Sequence, residues 1–234
     1  MSNSNLEIEA KFYVTDLDQI RMRLRPPPPF GHLPQIRNKI FQKFLSAYSR
    51  IWGRLGGGLI QPRTLETNIR FDLPDASLRS EGRVLRLRRD TEARLTYKGS
   101  ARDERGASSR TEIEFIVGDF EKARQLLEAL GYQQLLTYDK YREIHLLGDC
   151  HIMLDELPYG NFVEIEGENA ESIQAVAAQL KLNWDTAIPR SYSALFEAVK
   201  KALNLSFQNL SFENFAGIKV MPSHLGVRTA DHDE

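Results

Sequence analysis

Glu7-Ile8-Glu9-Ala10-Lys11 places acidic, acidic and basic side chains at every second position. Residues i, i+2 and i+4 of a β-strand point to one side of a sheet, so this stretch reads as a strand with one charged face and one apolar face. The same alternation returns in Arg86-Leu87-Arg88, Thr96-Tyr97-Lys98, Arg110-Thr111-Glu112-Ile113-Glu114, Lys140-Tyr141-Arg142 and Glu164-Ile165-Glu166. An ordinary half-buried strand turns its charges to water. Here strand after strand carries both signs on faces rich in Arg, Lys and Glu, which a barrel with a charged interior would explain.

Around these segments the elements follow from periodicity. Strands are expected over Leu6–Val14, 63–71, 83–89, Ala93–Lys98, 110–117, 134–146, 150–156 and 161–167, with turn-rich stretches between them. Helices are expected over 16–25, with Leu17, Ile20 and Leu24 on one face, and over 119–130, 171–180 and Tyr192–Leu203. Eight antiparallel strands can close into a barrel wide enough for one small ligand. The expected fold class is therefore α+β: an eight-stranded antiparallel β-barrel braced by outer helices.

Two regions break the pattern. Pro26–Pro29 cannot continue a helix. It is followed by a stripe including Ile36, Ile40, Phe44, Tyr48, Ile51 and Leu55, with Lys39, Lys43, Arg50 and Arg54 largely opposite. Residues 1–204 are expected to form one domain, with 26–58 an inserted segment whose basic helix either packs against the body of the protein or contacts a partner or a membrane surface. Residues 205–234 have weak periodicity and are expected to be a loosely ordered tail.

The chain has 234 residues, 41% hydrophobic and 27% charged, and a net charge of −1. There is no global basic field for nucleic acid. Cys150 is the single cysteine, which excludes an intrachain disulfide and a Cys-based zinc site. No apolar run approaches the roughly 20 residues of a membrane span, and the polar start has no secretory signal pattern. The expected location is cytoplasmic, and the oligomer considered is a homodimer.

Lys11, Arg86, Arg88, Lys98, Arg110, Lys140 and Arg142 would repel one another inside a barrel unless anions stood between them. Glu7, Glu9, Glu112, Glu114, Glu164 and Glu166 provide part of that compensation. Paired carboxylates on one strand face offer hard oxygen ligands to Mg²⁺ or Mn²⁺, and Arg and Lys contact phosphate, Arg often in bidentate fashion. One Glu-x-Glu alone is an ordinary solvated feature. Both kinds of pair, repeated on separate strands, point to phosphoryl chemistry on several phosphates in a row.

In this order the residues resemble the CYTH superfamily, also called the triphosphate tunnel metalloenzymes. The signature opening Glu-x-Glu-x-Lys is Glu7, Glu9 and Lys11; Arg86 and Arg88, Lys98, Arg110 with Glu112 and Glu114, Lys140 with Arg142, Asp155, and Glu164 with Glu166 follow. Asp155–Gly167, DELPYGNFVEIEG, is especially typical, and Pro189-Arg190-Ser191-Tyr192 is similar to the C-terminal element of the class IV adenylate cyclase branch. The resemblance covers 6–25 and about 59–203. It implies an eight-stranded tunnel in which Lys11, Arg86, Arg88, Lys98, Arg110, Lys140 and Arg142 bind triphosphate. It also implies a divalent metal held from the set Glu7, Glu9, Glu112, Glu114, Asp155, Glu164 and Glu166.

The activity this implies is divalent-metal-dependent hydrolysis of a triphosphate: inorganic tripolyphosphate, thiamine triphosphate or a nucleoside triphosphate. Glu7, Glu9 and Lys11 are the expected catalytic residues, and Glu7, Glu9, Glu112 and Glu114 the candidate bases. The alternatives are a class IV adenylate cyclase making cyclic AMP and diphosphate, and a non-catalytic polyphosphate-binding module. One departure stands out: many relatives carry Asp-x-Tyr-Phe-Asp in the second strand, where this chain has Asn68-Ile69-Arg70-Phe71-Asp72. Whether Arg70 reaches the tunnel or pairs locally is open on sequence alone.

Overall fold

The computed structural model describes residues 6–25, 57–104 and 106–231. Along the chain run β1 (Leu6–Val14), α1 (Leu17–Leu24), β2 (Gly57–Asp72), α2 (Ser77–Ser80), β3 (Val84–Arg89), β4 (Ala93–Lys98), β5 (Arg102–Glu104) and β6 (Ala107–Val117). Then come α3 (Phe120–Ala129), β7 (Gln133–Leu147), β8 (Cys150–Leu157), β9 (Gly160–Glu166), α4 (Ala170–Gln179), a 3-10 turn at Trp184–Thr186, α5 (Tyr192–Leu203) and α6 (Pro222–Leu225).

The strands lie in the order β1-β9-β8-β7-β2-β3-β4-β6, and β6 pairs back onto β1, so the ring closes with every ladder antiparallel. The short β5 is added to β6. Closure removes the exposed edges that an open sheet would present. β2 is longer than the strand expected over 63–71: Gly57 and Gly58 already pair with Leu147 and Leu146. Register shifts at Leu59/Gln61, Gln61/Thr64 and Arg70/Phe71 bend this strand around the barrel.

Alternation turns the charged face of the strands inside, and on much of the barrel helices cover the apolar outer face, though Leu65, Ile113 and Phe115 stay exposed. Ile8, Ala10, Phe12 and Val14 of β1 pack with Ile20 and Leu24 of α1 and Ile173 and Val176 of α4. Asp16 caps α1 by accepting from the backbone N–H groups of Asp18 and Gln19, which fixes the helix entry. A second cluster joins Ile69, Phe71, Leu85 and Leu87 to Leu78, Phe120 and Leu127. A third sets Phe162, Tyr159 and Tyr138 against Tyr192, Leu195 and Phe196 of α5. The first two cores therefore lie between barrel and helices, whereas the third sits on the inward face, where Tyr138 and Phe162 alternate in step with Lys140 and Glu164 and meet α5.

The expectation of a loosely ordered tail is corrected as far as residue 231. Leu210 and Leu225 are fully buried, and Phe215 and Ala230 nearly so. Leu210 bridges to Tyr138 and Thr229 to Tyr13. The Asp231 carboxylate accepts from the backbone N–H groups of Thr15 and Asp16 at 2.8 and 2.9 Å. Single anchors on irregular backbone leave no periodic signal, which is why the sequence pattern missed them. The proline run and the whole basic stripe, within residues 26–56, lie outside the described residues. Among the described residues no helix is long and apolar enough to cross a membrane.

Candidate active site

A cavity of about 1310 Å³ runs through the barrel, lined by Glu7, Lys11, Arg86, Arg88, Lys98, Arg110 and the other charged strand faces. Its charges are organised, not mixed. On the side formed by β1, β4, β6 and β9, carboxylates are in surplus. Lys98 Nζ donates to both oxygens of Glu7, at 2.6 and 2.8 Å, and lies 3.0 Å from Glu112. Arg110 donates to Glu7 at 2.9 Å and to Glu9 at 2.8 Å. Burial alone would raise the Glu7 pKa, but Lys98 and Arg110 bring it down to about 2. The neighbours do not share that compensation. Burial raises Glu112, and its hydrogen bond to Glu7 and that group's charge add to the shift against the pull of Lys98. Burial, then the Glu7 charge, lifts Glu166 to about 7, with Glu112 and Glu9 adding to it.

The middle of the wall is an unbroken ion-pair chain. Lys11 Nζ stands 3.1 Å from Glu164, donates to the Arg190 carbonyl at 3.4 Å and sits 4.3 Å above the centre of the Tyr192 ring. Burial works against the Lys11 charge, yet Glu164 and Glu9 hold its pKa above the ordinary value. Arg142 pairs with Glu164 and donates from Nε to Asp155 at 2.6 Å. Lys140 donates to Asp155 at 2.9 Å, and the Tyr192 hydroxyl donates to the same carboxylate at 2.8 Å. Asp155 has no exposed surface and does not line the cavity. In this arrangement Asp155 is the counter-ion of Lys140 and Arg142, with both oxygens engaged by cations.

On the β2–β3 side the arginines have carboxylates within reach but incomplete hydrogen bonding, and against burial Tyr138 and Glu66 hold the Arg86 pKa above its usual value. Arg88 lies 3.5 Å from Glu66 and 3.2 Å from Glu114, and Arg86 lies 3.7 Å from Glu114. The Nε atoms of both arginines are buried without a hydrogen-bond partner. Burial, then the adjacent Arg86 charge, draws the Arg88 pKa below its usual value despite Glu66 and Glu114.

The cations and glutamates expected from sequence thus come together around one cavity, with Asp155 behind its wall. Sequence reasoning missed Glu66. It is fully buried, within 4 Å of Arg88, Lys140 and Arg142. Burial would raise it, but Lys140, Arg142 and Arg88 bring it down to about 2. Its alternation with Asn68, Arg70 and Asp72 was the available signal. Arg70 does line the cavity, which answers the question left open by the sequence.

The carboxylate surplus has a measurable consequence. An acid whose folded-state pKa lies above its unfolded value favours folding fully below the unfolded value, and that contribution is lost as pH rises through the folded one. For Glu166 the window runs from 4.5 to about 7. In EDTA, Glu166→Gln is therefore expected to stabilise the protein at pH 8 by at most about 3 kcal/mol, fading toward zero at pH 4.5. Urea denaturation at the two pH values checks this; equal effects at both would contradict it.

The family model described as CYTH domain matches residues 46–192. Over 153 residues the chain is 29% identical to a Methanocaldococcus jannaschii protein provisionally named an adenylate cyclase, covering 61% of this chain and 86% of that protein. Over 140 residues it is 30% identical to adenylate cyclase CyaB of Aeromonas hydrophila, covering 54% of this chain and 70% of that one. The X-ray structure of a Vibrio parahaemolyticus protein, provisionally described as an adenylate cyclase, matches with a TM-score of 0.62 at 20% identity, over 82% of this chain and 98% of that one. That last likeness speaks to the fold.

Proposed function

The chain belongs to the CYTH domain family, and from that premise we propose that it is a metal-dependent enzyme that binds a triphosphate in the tunnel and hydrolyses it. The observation that carries this reading is the separation of buried charge: arginine Nε groups without partners on the β2–β3 side, and carboxylates with raised pKa values on the side of β1, β6 and β9. The first calls for an anion and the second for a cation, which a triphosphate and a divalent ion satisfy together.

Surplus hard-oxygen donors fit Mg²⁺ or Mn²⁺, and Mg²⁺ is usually held by one or two carboxylates together with substrate phosphates, so no closed protein cage is required. Glu7 and Glu112 would hold it, with Glu9 beside them. Bound there, the ion supplies neutralisation of the phosphate oxygens. The protein's own groups do the rest. Arg86 and Arg88 bind and orient phosphate oxygens, and Lys11, Lys140 and Arg142, held in place by Glu164, Asp155 and Tyr192, extend that grip along the chain. Water attacks the terminal phosphorus in line; the bond from that phosphorus to its bridging oxygen breaks, and the cations stabilise the charge left on the departing oxygen. Glu166, at about 7, is suited to accept the proton of the attacking water near neutral pH.

A second reading, cyclisation of ATP, has two observations in its favour. Both curated relatives carry adenylate cyclase names, and a cavity of about 1310 Å³ exceeds the roughly 300–1,000 Å³ of usual small-molecule pockets. There the ribose 3′-hydroxyl attacks the α-phosphorus and diphosphate leaves. Product analysis separates the two. The protein is given tripolyphosphate, thiamine triphosphate or ATP separately, with Mg²⁺ or Mn²⁺. Phosphate release without cyclic AMP is expected; cyclic AMP plus diphosphate from ATP would establish the second reading, and no turnover of any of them would overturn both.

A further inference from the structure

Arg70 differs from the other strand cations of the tunnel. Lys11, Arg86, Arg88, Lys98, Arg110, Lys140 and Arg142 each have a carboxylate in salt-bridge contact. Among the described residues Arg70 has none. The nearest acid on its own strand face, Asp72, is spent on the backbone N–H groups of Leu73, Leu78 and Arg79. Arg70 Nη1 donates to the Ser193 hydroxyl at the start of α5, and its Nε is buried without a hydrogen-bond partner. Arg70 is also directly paired across the ladder with Arg86, another cation. Burial and the charges of Arg86 and Arg110 lower its hold on its proton, against the pull of Tyr138 and Asp72.

A guanidinium in this setting is costly to the empty protein, because a partly desolvated charge lacks a counter-ion. Those seven each have a wall carboxylate within reach, although Arg86 and Arg88 keep an Nε without a partner; Arg70 has no such carboxylate, and a ligand would supply it. We infer that Arg70 is a substrate-binding residue, which holds a phosphate group of the substrate on the α5 side of the tunnel. The inference rests on the triphosphate reading above. Guanidinium geometry, planar and able to present two parallel donors, suits a phosphate better than a lone amine would.

The competing explanation is that Arg70 braces α5 through Ser193. The two differ in sign. A brace stabilises the empty protein; an uncompensated ligand-binding charge destabilises it. The test compares wild type, Arg70→Gln, Arg70→Lys and Ser193→Ala. Initial rates are measured on tripolyphosphate, thiamine triphosphate and ATP with Mg²⁺, and thermal unfolding without ligand. Loss of a charge-assisted hydrogen bond to phosphate is expected to raise KM about ten- to a hundredfold in Arg70→Gln, with a smaller fall in kcat. The ligand-free melting temperature stays equal or rises. Arg70→Lys recovers part of the affinity, and Ser193→Ala changes KM less than about threefold, an order-of-magnitude bound for a lost neutral hydrogen bond. An unchanged KM in Arg70→Gln, or a raised KM with a lowered ligand-free melting temperature that Ser193→Ala reproduces, overturns the inference alone. A wild-type protein that turns over none of the substrates overturns it together with the functional reading.

Discussion

Replacing Arg88 by alanine is expected to lower kcat/KM by about 10²–10³-fold, or roughly 3–4 kcal/mol of transition-state stabilisation, as for other fixed donors to developing charge. The size follows from its setting. Arg88 approaches Glu66 and Glu114 at 3.5 and 3.2 Å, but its Nε is buried and unpaired, and burial and Arg86 together depress its pKa. Such a group gains more from an arriving phosphate than one already satisfied. Its removal leaves Glu66 still beside Lys140 and Arg142, so folding is expected to survive. Initial rates alongside urea denaturation check the pair of outcomes. Wild-type activity in this variant would count heavily against a substrate held in the tunnel.

Asp155→Ala is expected to act on stability. The carboxylate has no exposed surface and accepts from Lys140 at 2.9 Å, Arg142 at 2.6 Å and the Tyr192 hydroxyl at 2.8 Å. Removing one member of a buried pair strands the other charge, at a cost of about 3–5 kcal/mol. Glu66 lies 3.4 Å from Lys140, and Glu164 pairs with Arg142; these remaining acids place the effect at about 3 kcal/mol, the lower end of that range. Chemical denaturation measures it, and a loss below about 1 kcal/mol, the scale of an exposed pair, would show that Asp155 is not the counter-ion of this network.

These predictions draw unequally on sequence and structure. The barrel was legible because charge alternation survives in plain view: Glu7, Glu9 and Lys11 can share a face only in a strand. Helix α1 was legible from spacing, with Leu17, Ile20 and Leu24 on one face, and the structure adds Asp16 as its cap. Glu66 was not singled out, although it alternates with Asn68, Arg70 and Asp72, because a single acid in a mixed polar stretch does not announce the cations it meets, Lys140 and Arg142 from β7 and Arg88 from β3. Asp155 was legible as part of a motif, but a motif does not tell a ligand from a counter-ion. That distinction needs Lys140, Arg142 and Tyr192, brought in from β7 and α5. The anchors of the tail, Leu210, Phe215 and Asp231, act singly, and only the packed structure shows what each one holds.

In the proposed function, one tunnel holds a phosphate chain against arginines and a divalent ion against carboxylates. A crystal structure with tripolyphosphate and Mn²⁺, read by the anomalous signal of manganese, tests it most directly. The predicted result is phosphate density beside Arg86 and Arg88 with manganese between it and Glu7 and Glu112. Phosphate bound on the outside of the barrel, or manganese away from those glutamates, would contradict it.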